Sequence, residues 1–359
     1  MDQAIQIVYS LPVVGIVAQL IGYFLGVLPN IAPIILRSAT PIALAGLCGV
    51  LCERSGVVNI GIEGTMLVAA FVGWAAGIFL APVLGAAVPT AVFGITPVLV
   101  VALVLAVFAG LIVAALHAWL SISVRADQII AGTIINIAAF GVTGYLYSLI
   151  SASSPAGAGA FTRFIPPQVL VELPLIGWVL RMFLDQGPIG MSLIVLVVLF
   201  QVLLFRSRWG LRTRAVGEHP RAAETVGIDV IRLRYRNVIF AGGLAALGGA
   251  FLSMEVFGQF TTGMTAGRGF IGLAAMIIGR WTPVGAFGAA LLFASAAAIG
   301  QSIGIAPPPG DLGVLLGHVP GQFFDALPYL ATIVVLAGLV GRSIPPAADG
   351  QPYQREATT

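Results

Sequence analysis

The chain has 359 residues, 59% of them hydrophobic and 9% charged, with a formal net charge of +3 and a mean hydropathy of +1.05. A water-soluble fold of this size needs more polar side chains to cover its surface, so lipid is the main solvent and the chain reads as an all-α polytopic membrane protein. Its 45 glycines and 22 prolines fit that class, because glycine lets spanning helices approach closely and proline is tolerated where neighbouring helices satisfy the freed backbone groups.

Apolar runs between charged or Pro/Gly-rich breaks predict spans near 8–28, 32–51, 60–80, 98–120, 128–150, 189–205, 237–257, 269–281, 284–303 and 327–342. The segment 269–281 is short for a crossing of roughly 20 residues and reads as a re-entrant or broken helix, which makes the total about nine or ten. The first run lacks the basic flank and cleavage site of a signal peptide and is expected to stay as a helix. Residues 1–345 therefore read as one transmembrane domain, interrupted by a polar loop at 206–236, and 346–359 as a disordered tail. Cys48 and Cys52 lie one helical turn apart in a single apolar run and read as small core side chains.

Orientation follows from the arginines, since the chain has no lysine. With the amino terminus inside and ten crossings, the cytoplasmic side receives Arg54, Arg125, the arginines of 206–236, Arg280, Arg342 and Arg355. The outer side receives Arg163, Arg181 and Arg268, so both termini are expected to be cytoplasmic. The stretch 151–188 is then an external loop, with VELPLIG a short surface element. Gly22 with Gly26, Gly73 with Gly77, and AGGLAALGGA at 241–250 mark close helix packing. In the last of these, small residues cover nearly every face, which predicts protein contact on more than one side.

Polar groups within the apolar runs are the candidates for function. Asn59 and Glu63 stand four residues apart, and an ionised carboxylate at a span centre costs roughly 2.5–3.5 kcal/mol, so Glu63 requires a partner. Gly56, Gly61 and Gly64 bracket the pair and permit an interrupted helix whose freed amides receive the carboxylate. Two readings are open: Glu63 caps backbone or clasps a neighbouring helix, or it meets a solute directly. Asn136 follows Thr133 by about a turn, and its carboxamide both donates and accepts, which suits a polar heterocycle better than an ion. Glu255, Gln259, Thr261 and Thr262 stand beside Phe257 and Phe260, a mixture of rings and hydrogen-bonding groups that fits a neutral ring-containing solute. His117 and Trp119 read as interfacial side chains.

The sequence offers no catalytic set, metal site or cofactor site. His117, His219 and His318 lack the spacing of a triad or a zinc site, and there is no phosphate-binding Gly-x-x-x-x-Gly-Lys-[Ser/Thr] loop. If ATP energises the protein, another polypeptide must bind it.

The run 206–236 holds eight of the seventeen basic residues. Within it Pro220 suits a first helical turn and Gly227 a carboxy-terminal cap, framing a short helix RAAETV whose Ala222, Ala223 and Val226 are expected to share one face. A helix so short is not stable alone, and its small smooth face suits docking into a groove.

From Arg214 to Ser253 the chain resembles the coupling loop and following helix of permease subunits of bacterial ABC importers, in the branch that handles simple sugars, nucleosides and branched-chain amino acids. ERSGVVNIGIEGTMLVAAFVG at 53–73 is similar to the other signature of that branch, and GRGFIGLAAMIIGRWTPVGAFGAALLF at 267–293 to its nucleoside-type members. Thr65 stands where a second permease type of the branch has glutamine. The resemblance covers about 35–345 and implies a second related permease, separate ATPase subunits carrying ATP-Mg, and an external binding protein or lipoprotein. It implies ATPase coupling through Glu218, Pro220, Arg221, Ala222, Ala223, Glu224 and Gly227. The substrate is then expected to be a nucleoside, with purines favoured, passing Asn59, Glu63, Thr133, Asn136, Glu255, Gln259, Phe260 and Thr261. A simple-sugar importer is the alternative reading, and a secondary transporter using Glu63 a further one.

Overall fold

A computed structural model describes residues 12–84, 89–151, 159–173, 176–305 and 343–354, with isolated positions between 307 and 330. Twelve helices and no strand occur among the described residues. In chain order they are α1 (Pro12–Glu53), α2 (Ile62–Leu84), α3 (Pro97–Ala118), α4 (Gln128–Ser151), α5 (Gln168–Val171), α6 (Gly177–Leu184), α7 (Pro188–Arg206), α8 (Arg208–Glu218), α9 (Pro220–Thr225), α10 (Val230–Phe251), α11 (Arg268–Ile278) and α12 (Pro283–Ile305). π-helical turns extend α3 through Trp119–Val124 and α10 through Leu252–Val256. Seven of these helices, α1, α2, α3, α4, α7, α10 and α12, are long and apolar enough to cross a membrane.

Two differences from the expected spans have local causes. The first two spans are one helix, α1, of 42 residues. The linking PNIAP carries two prolines and an asparagine but no charged residue, and prolines are tolerated inside membrane helices where neighbours satisfy the freed backbone groups. The span expected from 237 begins earlier, at Val230, because Asp229 caps it by accepting from the Arg232 amide at 3.0 Å. The short segment expected at 269–281 is an 11-residue helix, about 16 Å long at 1.5 Å per residue and too short to cross. The expected span 327–342 lies outside the described residues, apart from Leu330.

The chain divides into two units: residues 1–38, 165–186 and 291–340, and residues 39–164, 187–290 and 341–359. In the smaller unit the buried Gln186 donates to Pro33 O at 3.0 Å and Met182 O at 2.9 Å, and Arg181 pairs with Asp185 at 3.9 Å. Gly22 and Gly26 are exposed, so this glycine pair marks no close crossing among the described residues.

The larger unit is built on α2, α3 and α10, which pack mutually, with α4 against α2. The small-residue run of α10 touches protein on several sides, as its sequence predicts. Gly242 and Ala246 meet Ala114 and Gly110 of α3, Gly249 abuts the Met66 backbone of α2, and Gly248 lies against Leu44 and Met66. Gly73 packs against Met254 and Ala106. Cys48 and Cys52 are buried and unoxidised.

Candidate functional site

α1 ends at Glu53 and α2 begins at Ile62, leaving a turn at 54–61 that three other helices hold by its backbone. Val58 N donates to Gln128 Oε1 of α4 at 2.7 Å, and Val58 O meets His117 Nε2 of α3 at 3.0 Å. Ser55 O accepts from Arg234 Nε of α10 at 3.0 Å. His117 is therefore not interfacial as its place near a span end suggested: it is 1% exposed, while Trp119 is 52% exposed. The turn reaches α4 at Gly132, where an added Cβ would stand 2.7 Å from Gly61 N. Only glycine fits that approach.

Asn136 closes the same junction. Its Oδ1 accepts from Gly64 N at 2.7 Å and its Nδ2 donates to Ile60 O at 2.9 Å, satisfying a donor and an acceptor released where the helix is interrupted. Glu63, in the first turn of α2, accepts from Gly267 N at 2.8 Å and Gly269 N at 2.7 Å at the start of α11. The carboxylate thus sits at two helix N-termini at once, where aligned peptide dipoles favour negative charge. Gly267 takes φ 78° as the cap of α11, and a Cβ on Gly269 would stand 2.7 Å from Glu63 Oε2. Both glycines are needed for this seat.

Beside Glu63 and Asn136 runs an open groove of about 390 Å³, lined further by Phe140 of α4, Thr265 and Gly267 of the loop before α11, and Phe270. This volume falls within the roughly 300–1,000 Å³ of small-molecule sites. With both carboxylate oxygens held by amides, the rest of the lining is neutral, combining rings, an amide and a hydroxyl.

The structure brings together only part of the sequence-derived set. Glu63 and Asn136 line the groove. Asn59 is buried in the turn with Nδ2 3.7 Å from Cys52 Sγ. Thr133 is exposed and donates to Ile129 O at 2.8 Å. Glu255 caps α7, accepting from Ile189 N at 2.8 Å and Gly190 N at 3.1 Å. Phe260 is buried among Phe71, Trp74 and Tyr147, with ring centroids 5.3–5.9 Å away, and Gln259 and Thr261 are exposed beyond it. Sequence reasoning missed Phe140, Thr265, Gly267 and Phe270. The available signal was GMTAGRG ahead of an apolar run, a glycine-rich approach to a helix N-terminus.

The polar run folds as α8, α9 and the first turns of α10. Pro220 opens α9 and Gly227 follows it at φ 84°, as the sequence frames it. The expected common face is split: Ala223 is 4% exposed and Val226 is 75% exposed, with Ala222 outward. Ala223 packs with Val216, Val230, Leu233 and Tyr353. Tyr353 belongs to the tail expected to be disordered. Residues 343–354 are described and docked, because their backbone finds partners: Ala348 N donates to Gly217 O at 2.9 Å and Ala347 N to Glu218 Oε2 at 3.1 Å. Residues 355–359, with Arg355, lie outside the described residues.

These features define a multi-pass α-helical membrane protein with a mainly apolar groove and a structured polar loop. Residues 31–338 match the family described as branched-chain amino acid transport system / permease component. The chain is 38% identical over 329 residues to the guanosine ABC transporter permease protein NupQ of Bacillus subtilis, covering 91% of this chain and 97% of that one. It is 35% identical to the nucleoside ABC transporter permease protein NupC of Lactococcus lactis, covering 88% and 93%. It is also 34% identical to the putative glucose ABC transporter permease protein TsgC13 of Haloferax volcanii, covering 89% and 96%. The chain belongs to this permease family and is a membrane-spanning subunit of an ABC importer.

Proposed function

We propose that this chain is one of two related permeases of an ATP-driven nucleoside importer, purines being the favoured substrates. It works in the cytoplasmic membrane with two separate ATPase subunits that carry ATP-Mg and with an external binding protein or lipoprotein. The loop 206–236 and the carboxy-terminal segment docked against it face the cytoplasm, in accord with the arginine bias; the merging of the first two expected spans into α1 removes the crossing count that put the amino terminus inside. The observation that carries the reading is the groove beside Asn136: Phe140, Phe270 and Thr265 line it while Glu63 is consumed by backbone amides. A nucleoside presents an aromatic face without net charge, which Phe140 and Phe270 suit, and Asn136 keeps a second amide hydrogen and a spare lone pair beyond its bonds to Ile60 and Gly64 for the polar edge. A zwitterionic amino acid would need paired charges that the groove lacks. The similarity to guanosine and nucleoside permeases supports the same reading.

The groove is open, so a second permease supplies its other wall and the path runs between the two. ATPase subunits act on α9, whose Ala222 and Val226 face outward from a platform made by α8 and α10. A simple-sugar importer is the second reading, favoured by the relative described as a glucose permease. Uptake by the complete reconstituted importer, with labelled guanosine competed by adenosine, uridine, ribose, glucose and leucine, separates the two. Competition by nucleosides alone supports the proposal, and competition only by sugars replaces it.

A further inference from the structure

The carboxy-terminal segment makes more connections than a passive tail needs. Its amides at 347 and 348 bond Glu218 and Gly217 at the end of α8. Its Gln351 carbonyl accepts from Arg234 Nη1 at 3.0 Å, while Nε of the same guanidinium holds Ser55 O in the 54–61 turn. Its Tyr353 hydroxyl donates to the Glu224 carboxylate on α9, and the ring joins the Ala223 cluster. Arg234 is 2% exposed, and its guanidinium carbon lies 6.0 Å from the Tyr353 ring centroid. The fit at this junction is tight: a Cβ on Gly56 would stand 2.5 Å from Arg234 Nη2 and 2.9 Å from Ala348 O, and one on Gly217 would stand 2.3 Å from Arg54 O.

Three pieces of chain, two of them neighbours in sequence and the third more than 150 residues away, thus meet at one strap. These are α9 with the end of α8, the base of α10, and the turn that leads into Glu63. We infer that residues 346–353 are a positioning element that ties α9 to the 54–61 turn, so that displacement of α9 reaches the groove through Arg234 and Ser55. This inference rests on the reading of α9 as the segment that ATPase subunits move. Covalent continuity alone does not provide the link, since α9 and the turn are separated by more than 150 residues of sequence, and coupling needs a physically connected two-state element.

The test uses the complete importer reconstituted with its ATPase, second permease and binding protein, comparing the full chain with a deletion of residues 346–359, Tyr353→Ala and Tyr353→Phe. Three quantities are read: co-purification of the ATPase, nucleoside-stimulated ATP hydrolysis, and nucleoside molecules transported per ATP. The expected result is retained assembly and hydrolysis, with about a tenfold drop in transport per ATP for the deletion and for Tyr353→Ala. Tyr353→Phe keeps the ring in its cluster and recovers most of that ratio. Should the deletion prevent assembly, the two Tyr353 variants decide. An unchanged ratio in both Tyr353→Ala and any assembled deletion overturns the inference, even where the full chain couples normally. A full-chain importer that shows no nucleoside-stimulated hydrolysis overturns the proposed function instead.

Discussion

Glu63 shows how a charge is kept inside an apolar protein: its oxygens bond backbone amides, and Arg268 lies near enough for its charge to interact with the carboxylate. Two backbone amides at the start of α11 donate to it, at 2.8 and 2.7 Å, and hydrogen bonds to a charged group are worth about 1.5–3 kcal/mol each. Glu63→Gln replaces one accepting oxygen by an NH2 that must face an amide donor. Its expected effect is at least about a tenfold loss of uptake, the equivalent of 1.4 kcal/mol, with membrane insertion retained, measured as transport per permease in vesicles. Asn136→Asp keeps the acceptor for Gly64 N but loses the donor to Ile60 O, so a smaller loss with reduced thermal stability is expected from the same vesicles and a melting assay. The need for a partner to Glu63 is legible in the sequence, since a carboxylate in an apolar run demands one. The partner's identity is not, because Gly267 lies 204 residues away and nothing local points to it. Nearby Gly56, Gly61 and Gly64, which the sequence offers as donors of freed amides, serve instead the turn itself and its crossing with α4.

At the scale of elements, α9 is the case in which local signals suffice. Pro220 and Gly227 frame it correctly because a proline at a helix start and a glycine beyond its end act through backbone geometry within a few residues. Which of its alanines faces inward depends on α8, α10 and the carboxy-terminal strap, none of which the local pattern reports. Ala222→Asp is therefore expected to leave the fold intact and lower stimulated ATP hydrolysis severalfold. Ala223→Asp is expected to destabilise the whole platform by roughly 2–4 kcal/mol through an unpaired buried charge, and thermal unfolding with ATPase assays on the purified complex distinguishes the two. The strap was illegible for a related reason: PPAADGQPY is polar and small, with no apolar period, and docks through backbone groups and a single ring. Its Asp349 faces Glu53 and Arg234. Burial pushes the Asp349 carboxyl from 3.8 up to about 6, while hydrogen bonding to Glu53 and Gly350 and the charge of Arg234 pull it down. A carboxyl whose value is raised on docking favours the docked state fully below its free value, and that contribution is lost as pH rises through about 6. Hydrogen exchange over 346–354, corrected for intrinsic rates, is expected to show greater protection at about pH 5 than at about pH 7.5. Asp349→Asn is expected to flatten the difference.

For the whole molecule, hydrophobicity alone identifies the class, because a lipid solvent leaves a helical chain few alternatives. It does less well with the division into helices: α1 runs through the prolines that invite a break, and α10 begins inside a basic stretch that looks like loop. On the proposed reading a second permease completes the groove and ATP is bound by partner subunits, so vesicles containing the chain alone are expected to show no nucleoside uptake, whether a proton gradient, a sodium gradient or ATP is supplied. Gradient-driven uptake by the lone chain would return it to the secondary transporters. The crossings of α2, α3 and α10 impose a kinematic rule on the assembled machine. A methyl at Gly242 would come within 2.2 Å of Ala114 Cβ, one at Gly110 within 2.3 Å of Ala246 Cβ, and one at Gly249 within 1.9 Å of the Met66 carbonyl oxygen. Sliding one of these helices past another drives methyl-bearing residues such as Ala109, Ala241 or Ala250 towards gaps that hold only hydrogen, so shear between them is resisted and the three are expected to move together as one keel. Any movement that opens or closes the groove is then expected to leave this frame undeformed.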